Sequence, residues 1–225
     1  MLTPRYCLRA VCGKLFSVAE GKNEIAAPVV IPATGHKPCD GGANCPSIEL
    51  ADVDRSATSW YHEAVDWAVT HKPAITTGTT KTTFSPNAEC TREQMVTFLW
   101  RALGEPKATI TSCPFTDVKA SDYSYAAILW AYENEIVNGT AKDKFSPKAP
   151  VTREQVVTIL WRLAEKPATE GDMPFPDVKA GYSYDAIKWA AANNVTTGYP
   201  DGTFAPTKTV TRAEIVTLLY RYFNK

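Results

Sequence analysis

One four-residue stretch occurs three times in this chain, and each copy stands directly before an apolar run with helical spacing. The copies are residues 91–94 and 152–155, both Thr-Arg-Glu-Gln, and residues 211–214, Thr-Arg-Ala-Glu. A threonine followed three residues later by Gln or Glu forms a capping box, in which the two side chains bond to backbone N–H groups at the start of a helix. The sequence therefore predicts three similar helices that begin at these threonines.

The second residue of each copy is an arginine that helix capping does not explain. The first turn of a helix carries the positive end of the helix dipole, so a cation there is mildly unfavourable. An anionic ligand held by the arginine and the helix N-terminus would account for it. The alternative is a salt bridge to acidic groups of the preceding repeat. The three residues are Arg92, Arg153 and Arg212.

The capping stretch belongs to a longer unit that repeats from residue 50 onward. Each unit contains an apolar-x-Asp-Val motif, a first helix opened by an aromatic residue, a glycine, a Phe-x-Pro turn and the capping threonine. The glycine stands at a constant distance before the threonine, which indicates a rigid segment with a positive φ or a close approach to the backbone. The repeated residues are Asp52, Asp117 and Asp177, then Trp60, Tyr123 and Tyr182, then Trp67, Trp130 and Trp189, then Gly78, Gly139 and Gly198.

Each repeated position also has an ordinary structural interpretation. We interpret the three aspartates as turn or cap residues before the first helix, and the tryptophans as core residues. The aromatic residues that open the first helices are equally compatible with packing and with contact to a ligand.

Two helices in each unit, with little room for strands, predict an all-α fold. Residues 1–49 have no lasting periodicity and contain several prolines, so we expect an irregular leader there. The units together form one domain over residues 50–225, and their bounds are residues 50–106, 115–167 and 175–225.

Charge and hydropathy exclude several classes of protein. The formal net charge is zero, so no basic field favours nucleic acid as a partner. No run of about 18 apolar residues occurs, which argues against a membrane-spanning helix. No signal peptide is evident, because Arg5, Arg9 and Lys14 interrupt the first apolar stretch.

No catalytic set is recognisable, and we predict neither enzyme activity nor a cofactor. Residues 62–66 read His-Glu-Ala-Val-Asp, with an aspartate where a zinc-protease helix needs its second histidine. Neither a Gly-x-Ser-x-Gly motif nor a phosphate-binding loop occurs.

The six cysteines form an even set that suits disulfides in an oxidising compartment. For Cys90 the alternative is a small core residue, because valine fills this position in the other two units. No metal site is predicted, because His36, Cys39 and Cys45 have loose spacing and no obvious fourth ligand. The expected disulfide pairs are Cys7–Cys12, Cys39–Cys45 and Cys90–Cys113.

The ordered motifs of residues 50–225 resemble three tandem S-layer homology repeats. The match comprises apolar-x-Asp-Val, aromatic-x3-Ala-Ile/Val, Gly-x5-Phe-x-Pro and Thr-Arg-x-Glu/Gln before an apolar helix. The third unit matches most fully, with residues 198–204 reading Gly-Tyr-Pro-Asp-Gly-Thr-Phe. The first two units depart from the family pattern in three ways: Glu93 and Glu154 replace the usual alanine, Gln94 and Gln155 replace the usual glutamate, and the loops 79–83 and 140–144 replace Tyr-Pro-Asp-Gly.

The resemblance implies a fold and a binding function. Members form a pseudo-threefold module in which one helix of each repeat builds a central three-helix bundle, with grooves between repeats. In the family, the motif arginine lines these grooves and binds secondary cell-wall polysaccharide, often with a pyruvate ketal whose carboxylate suits the guanidinium fork. By the same resemblance, the repeated glycines let sugar approach the backbone, the first-helix aromatics stack on sugar, and the repeated aspartates bind hydroxyls.

These implications predict a non-catalytic, monomeric module that anchors an extracellular protein of a Gram-positive bacterium to an anionic wall glycan. Arg212, in the unaltered motif, is the strongest candidate for ligand binding. The alternative prediction is a scaffold that presents its repeats to a protein partner, since the first two units carry an altered charge beside the arginine.

Overall fold

Helices dominate the part of the chain that the structure describes. The computed structural model describes residues 39, 41–56 and 58–224, and the backbone of two short strands, β1 (Tyr6–Cys7) and β2 (Phe16–Ser17), which pair antiparallel. The predicted all-α fold of three two-helix repeats is confirmed. The helices are α1 (His62–Thr70), α2 (Arg92–Ala102), α3 (Tyr125–Glu133), α4 (Arg153–Leu163), α5 (Tyr184–Ala192) and α6 (Arg212–Phe223).

The second helix of each repeat begins at its capping threonine, as predicted. Gln94 N–H donates to the Thr91 hydroxyl at 3.4 Å, and Thr91 N–H donates to the Gln94 side chain at 3.2 Å. The same exchange joins Thr211 and Glu214 at the start of α6, with distances of 3.3 and 2.8 Å. These helix starts follow from local sequence, because both partners of the box lie within one turn.

The principal helix contacts lie between repeats. Helix α2 packs on α3, α4 packs on α5, and α6 packs on α1, so the second helix of each repeat meets the first helix of the next. The last pair brings the third repeat back to the first. The three repeats therefore close into a ring, in which α2 also contacts α6.

Three backbone hydrogen bonds mark the pseudo-threefold axis. The residues before the capping threonines are Cys90, Val151 and Val210, and all three are fully buried. Cys90 N–H donates to the Val210 carbonyl and Val151 N–H to the Cys90 carbonyl, both at 2.9 Å. Val210 N–H completes the cycle with the Val151 carbonyl at 3.1 Å. This triangle holds the three Thr-Arg helix starts together at one end of the second helices.

The core is built from equivalent side chains of the three repeats. Trp67, Trp130 and Trp189 are buried, which confirms their predicted core role. The three phenylalanines of the Phe-x-Pro turns are completely buried at Phe84, Phe145 and Phe204.

The leader predicted for residues 1–49 lies largely outside the described residues. Where it is described, it forms successive turns, in which Cys45 N–H donates to Gly42 and Leu50 N–H donates to Ser47, both at 2.9 Å. Leu50 is buried and joins these turns to the core of the repeats. Among the described residues, no helix combines the length and apolar character needed to cross a membrane.

Candidate functional site

The repeated aspartates hold the Phe-x-Pro turn of their own repeat. Each carboxylate accepts two backbone N–H groups, one on each oxygen, so its acceptors are engaged within the protein. The aspartates themselves lie in turns before the first helix, as interpreted, because the N–H groups of the valines that follow them close a turn three residues back. The Phe-x-Pro turns that they hold come after that helix. The pairs are Asp52 with Phe84 and Ser85 at 2.7 and 2.7 Å, Asp117 with Phe145 and Ser146 at 2.9 and 2.9 Å, and Asp177 with Phe204 and Ala205 at 2.9 and 2.7 Å.

This aspartate fork fixes an unusual backbone conformation. Ser85, Ser146 and Ala205 all have positive φ angles, of 59°, 58° and 54°, which non-glycine residues seldom adopt. Burial alone would raise the pKa of Asp117, but the hydrogen bonds from the backbone N–H groups of Phe145 and Ser146 outweigh it and hold the pKa below its ordinary value.

The three motif arginines bind the Phe-x-Pro turn of the following repeat. Each side-chain Nε donates to the phenylalanine carbonyl, and the guanidinium lies over the ring of the same phenylalanine. Each arginine therefore joins two repeats. The Nε–O distances are 2.9 Å from Arg92 to Phe145, 2.7 Å from Arg153 to Phe204 and 2.8 Å from Arg212 to Phe84.

The same turns also occupy the N–H groups at the helix starts. Arg92 N–H donates to Ala149 at 2.9 Å and Glu93 N–H donates to Pro147 at 3.0 Å, and α4 and α6 begin in the same way. The expectation that these N–H groups hold an anion is therefore wrong, because carbonyl oxygens of the next repeat already accept from them. This also explains how a cation is tolerated there, since carbonyl groups surround it.

The outer guanidinium nitrogens contact the following repeat, and Arg92 Nη2 donates to the Asn138 carbonyl there at 3.1 Å. Arg92 Nη1 lies 3.3 Å from Gln155 Oε1, and the guanidinium is close enough to Tyr182 to interact with it electrostatically. We call these three residues the Arg92 cluster. In the Arg212 cluster, Nη2 lies 3.3 Å from Thr76 Oγ1, and Tyr123 is the electrostatic neighbour.

The Arg153 cluster contains Arg153, Tyr199 and Glu214. The guanidinium lies 4.3 Å from the centre of the Tyr199 ring, and Nη1 lies 3.7 Å from Glu214 Oε1. Tyr199 also donates its hydroxyl to Glu214 at 2.7 Å. The salt bridge that was the alternative prediction for the motif arginines is present at Arg153. Its carboxylate, Glu214, belongs to the following repeat rather than to the preceding one.

All three arginines are buried at the base of their clusters. Burial lowers the pKa of Arg92 and of Arg212 from its ordinary value. A buried guanidinium with fixed partners presents its remaining N–H groups in one orientation, which is the geometry required for binding a planar carboxylate.

The aromatic residues that open the first helices are exposed. Trp60 and Tyr123 are each 57% exposed and Tyr182 is 61% exposed. The Tyr182 ring faces solvent while its hydroxyl lies against Glu154; burial of the hydroxyl and this carboxylate raise its pKa to about 12. Packing does not account for three equivalent exposed rings, so these positions are available for contact with a ligand.

The glycines are required by the loop of their own repeat. Gly78 has a φ of +93°, and a Cβ there would lie 2.5 Å from the Thr83 carbonyl oxygen. At Gly198 a Cβ would lie 2.5 Å from Phe175 Cε1, and at Gly139 it would lie 2.5 Å from the Lys144 carbonyl oxygen. The predicted close approach is present, and the approaching group is protein.

The two glutamates that replace the usual alanine form hydrogen bonds between repeats. Glu93 is buried and accepts from the Ser124 hydroxyl at 3.1 Å and from Lys148 Nζ at 2.5 Å. Glu154 accepts from the Ser183 hydroxyl at 2.8 Å. The sequence alone did not point to these serines. It did carry a signal, because the two positions change together: where the third repeat meets the first, Ala213 replaces the glutamate and Tyr61 replaces the serine.

The described cysteines are free thiols, so the Cys39–Cys45 and Cys90–Cys113 disulfides are not formed in the structure. Cys90 lies at the pseudo-threefold axis as a core residue, and its burial raises the pKa of its thiol to about 12. Cys39 and Cys45 instead face two side chains of α1, His62 and Asp66, which sequence analysis did not connect with them. The Cys7–Cys12 pair and His36 fall outside the residues whose side chains are described.

The architecture corresponds to a known family. The family model for the S-layer homology domain matches this chain at residues 49–96, 114–157 and 174–216. The chain belongs to the S-layer homology family. Each match ends within the second helix of a repeat, after the motif arginine, so each of the three matches includes one of these arginines.

Similar proteins include enzymes and surface proteins that carry these repeats. An endoglucanase of a Bacillus species is 36% identical over 111 residues, which cover 49% of this chain and 12% of that protein. A cellulosome-anchoring protein of Acetivibrio thermocellus is 27% identical over 150 residues, which cover 63% of this chain and 34% of that protein. A surface-layer 125 kDa protein of Lysinibacillus sphaericus is 34% identical over 107 residues, which cover 47% of this chain and 9% of that protein. The chain therefore spans about a third or less of each relative.

Proposed function

We propose that this chain is a non-catalytic anchoring module that holds a surface protein to the bacterial cell wall by binding an anionic wall polysaccharide. Membership of the S-layer homology family supports cell-surface anchoring. Two of the relatives are named as a cellulosome-anchoring protein and a surface-layer protein, which agrees with an extracellular location. The endoglucanase relative shows that such repeats also accompany a catalytic protein.

The observation that carries the proposal is the presence, in all three repeats, of a buried motif arginine and an exposed aromatic ring at equivalent positions. In the Arg92 cluster the ring is Tyr182, and in the Arg212 cluster it is Tyr123. By pseudo-threefold symmetry, Trp60 is the ring that we propose for Arg153. A wall sugar carrying a pyruvate ketal offers a carboxylate to the guanidinium and an apolar ring face to the aromatic side chain.

The partners of the arginines make this site rigid before ligand binds. Each Nε is already held by a phenylalanine carbonyl, so binding a carboxylate does not require the long side chain to be ordered again. Ordering a flexible side chain costs about 0.5–1.5 kcal/mol on binding, and this cost is avoided here.

The three sites differ in electrostatic strength. Glu214 lies 3.7 Å from Arg153 and offsets part of its charge. In the first repeat Glu93 follows Arg92, although Lys148 pairs with that carboxylate. Arg212 is followed by Ala213 and contacts the neutral Thr76, so the Arg212 cluster is the strongest anion site in this proposal.

The experiment separates binding from folding by changing the exposed rings rather than the buried arginines. A triple variant, Trp60→Ala, Tyr123→Ala and Tyr182→Ala, should keep its helicity and lose sedimentation with purified cell-wall sacculi. Tyr132→Ala is the matched control, because Tyr132 is also exposed but lies in the last turn of α3, away from the helix starts. Sacculi stripped of secondary polymer by hydrofluoric acid should not retain the unmodified chain.

Undiminished binding of the triple variant to intact sacculi would contradict the proposed site. Equal retention on stripped sacculi would contradict the polysaccharide as ligand. The alternative of a protein-binding scaffold depended on the altered charges at Glu93 and Glu154. Since both carboxylates have structural partners between repeats, these charges do not favour it.

A further inference from the structure

We propose that Cys39, Cys45, His62 and Asp66 form a structural zinc site that joins the segment before the first repeat to helix α1. This site is separate from the arginine clusters and goes beyond the anchoring function. All four ligand atoms lie within 4.8 Å of one another. Two thiols, one imidazole and one carboxylate are a donor set suited to Zn²⁺.

The ligands come from two short pieces of chain. His62 and Asp66 are one helical turn apart on α1, so their side chains project from the same face. Cys39 and Cys45 flank a turn in which Gly41 has a φ of +74°. A Cβ at Gly41 would lie 2.3 Å from the Arg55 carbonyl oxygen, so the turn depends on glycine to pack this closely.

The donor atoms lie slightly closer together than in a tetrahedral zinc site, by no more than about 0.5 Å. Zn–S bonds of about 2.3 Å and Zn–N or Zn–O bonds of about 2.0–2.1 Å place neighbouring donors roughly 3.4–3.8 Å apart. The separations from Cys39 Sγ are 3.0 Å to Asp66 Oδ2 and 3.5 Å to His62 Nε2. From Cys45 Sγ they are 3.1 Å to His62 Nε2 and 3.6 Å to Asp66 Oδ2, and the last two atoms lie 3.3 Å apart.

A further residue orients the carboxylate. Ser47 N–H donates to Asp66 Oδ1 at 3.1 Å, which turns Oδ2 toward the two sulfurs and the imidazole. The Ser47 hydroxyl lies 3.3 Å from Cys45 Sγ. Hydrogen bonds of this kind from outside the ligand set are what hold metal ligands in position.

The repeats themselves show that the fold does not need these polar groups. At the position of His62 the other repeats have Tyr125 and Tyr184, and at the position of Asp66 they have Leu129 and Lys188. Yet His62 and Asp66 are both buried, Asp66 completely. These two groups pair with each other at 3.3 Å, and among the three repeats only this pair is covered by two cysteines.

Four protein ligands would leave no open position, so the proposed zinc is structural. Its binding would fix residues 39–47 against α1 and leave the ring of repeats unchanged. A Cys39–Cys45 disulfide is the competing state, because it would consume both thiols and leave His62 and Asp66 without a metal.

The test uses the full untagged chain, purified under reducing conditions and dialysed against equimolar zinc chloride. Metal analysis should find about one zinc per chain. Substitution by cobalt should give the strong visible absorption of a tetrahedral site and a thiolate-to-cobalt charge-transfer band. The variants His62→Tyr and Asp66→Leu copy the second repeat and should fold, yet each should lose the bound zinc and the cobalt spectrum.

Cys113→Ser is the matched control, since Cys113 is a free thiol outside the cluster and its loss should leave one zinc bound. The proposal is overturned if the reduced chain binds no zinc. It is equally overturned if His62→Tyr and Cys45→Ser retain it, or if mass spectrometry finds a Cys39–Cys45 disulfide in the zinc-treated protein.

Discussion

The Nε atom of Arg212 lies 2.8 Å from the carbonyl oxygen of Phe84, and this contact joins the last repeat to the first. The two residues are 128 positions apart in the sequence. The equivalent contacts of Arg92 and Arg153 follow the chain direction, whereas this one closes the ring. The arginine of the Thr-Arg motif is therefore part of the architecture as well as a candidate ligand residue.

Arg212→Lys should destabilise the domain by about 2–3 kcal/mol, because a lysine keeps the charge but cannot reproduce a buried hydrogen bond from Nε. Urea unfolding followed by circular dichroism measures the change. Lys142→Ala, at an exposed position in a loop, serves as the control and should shift the midpoint little. Equal midpoints for Arg212→Lys and the unchanged chain would show that this contact does not support the fold.

Asp117→Asn should lower the free energy of unfolding by about 2 kcal/mol at neutral pH, because an amide oxygen cannot accept both turn N–H groups as a carboxylate does. The pKa of Asp117 is lowered in the fold. Its stabilisation is therefore complete above the unfolded pKa of about 4, and it is lost as pH falls through the folded pKa. Denaturation at pH 7 and in acid should show the gap between variant and parent narrowing; a constant gap would contradict this account.

Gly198→Ala and Gly202→Ala form a matched pair. Both glycines have positive φ, but a Cβ meets Phe175 at 2.5 Å only at Gly198 and meets nothing within 4 Å at Gly202. Left-handed strain of about 1–2 kcal/mol should appear in both variants. Overpacking should add about 1–3 kcal/mol more in Gly198→Ala. Thermal unfolding should therefore give a lower melting temperature for Gly198→Ala than for Gly202→Ala. Similar melting temperatures would argue against crowding at Gly198.

Glu93→Ala and Ser124→Ala should be coupled, because the buried carboxylate accepts the serine hydroxyl across the repeat boundary. A double-mutant cycle in urea should give a coupling energy of about 1 kcal/mol or more. Lys148→Ala is the comparison: this side chain is 78% exposed, so its ion pair with Glu93 should contribute less than about 1 kcal/mol. Strict additivity of Glu93→Ala and Ser124→Ala would refute the proposed link.

Cys90→Val should change stability by less than about 1.5 kcal/mol, because valine fills the equivalent buried position in the other two repeats. A native disulfide to Cys113 would make the same substitution cost about 2–5 kcal/mol. Urea unfolding of the unreduced protein distinguishes a free Cys90 thiol from a disulfide. A loss of stability in the larger range would show that Cys90 and Cys113 are bonded.

Local sequence predicted the helices well, because a capping box such as Thr91 with Gln94 acts within a single turn. The contacts that build the candidate sites were less accessible. Asp52 meets a turn 32 residues later, and Arg212 meets Phe84 only after the ring has closed. The grouping of Cys45 with Asp66 likewise depends on how a turn-rich segment lies against a helix, which periodicity does not describe.

The triangle of Cys90, Val151 and Val210 fixes the number of repeats. Each of these residues donates to one neighbour and accepts from the other, so a pair of repeats would leave a donor and an acceptor without partners. A fourth repeat could not join the triangle as it stands, because all three N–H donors and all three carbonyl acceptors are already paired with one another. Open helical solenoids can gain or lose a repeat in evolution, whereas this arrangement is closed by symmetry. Duplication of such a module should therefore proceed in whole sets of three.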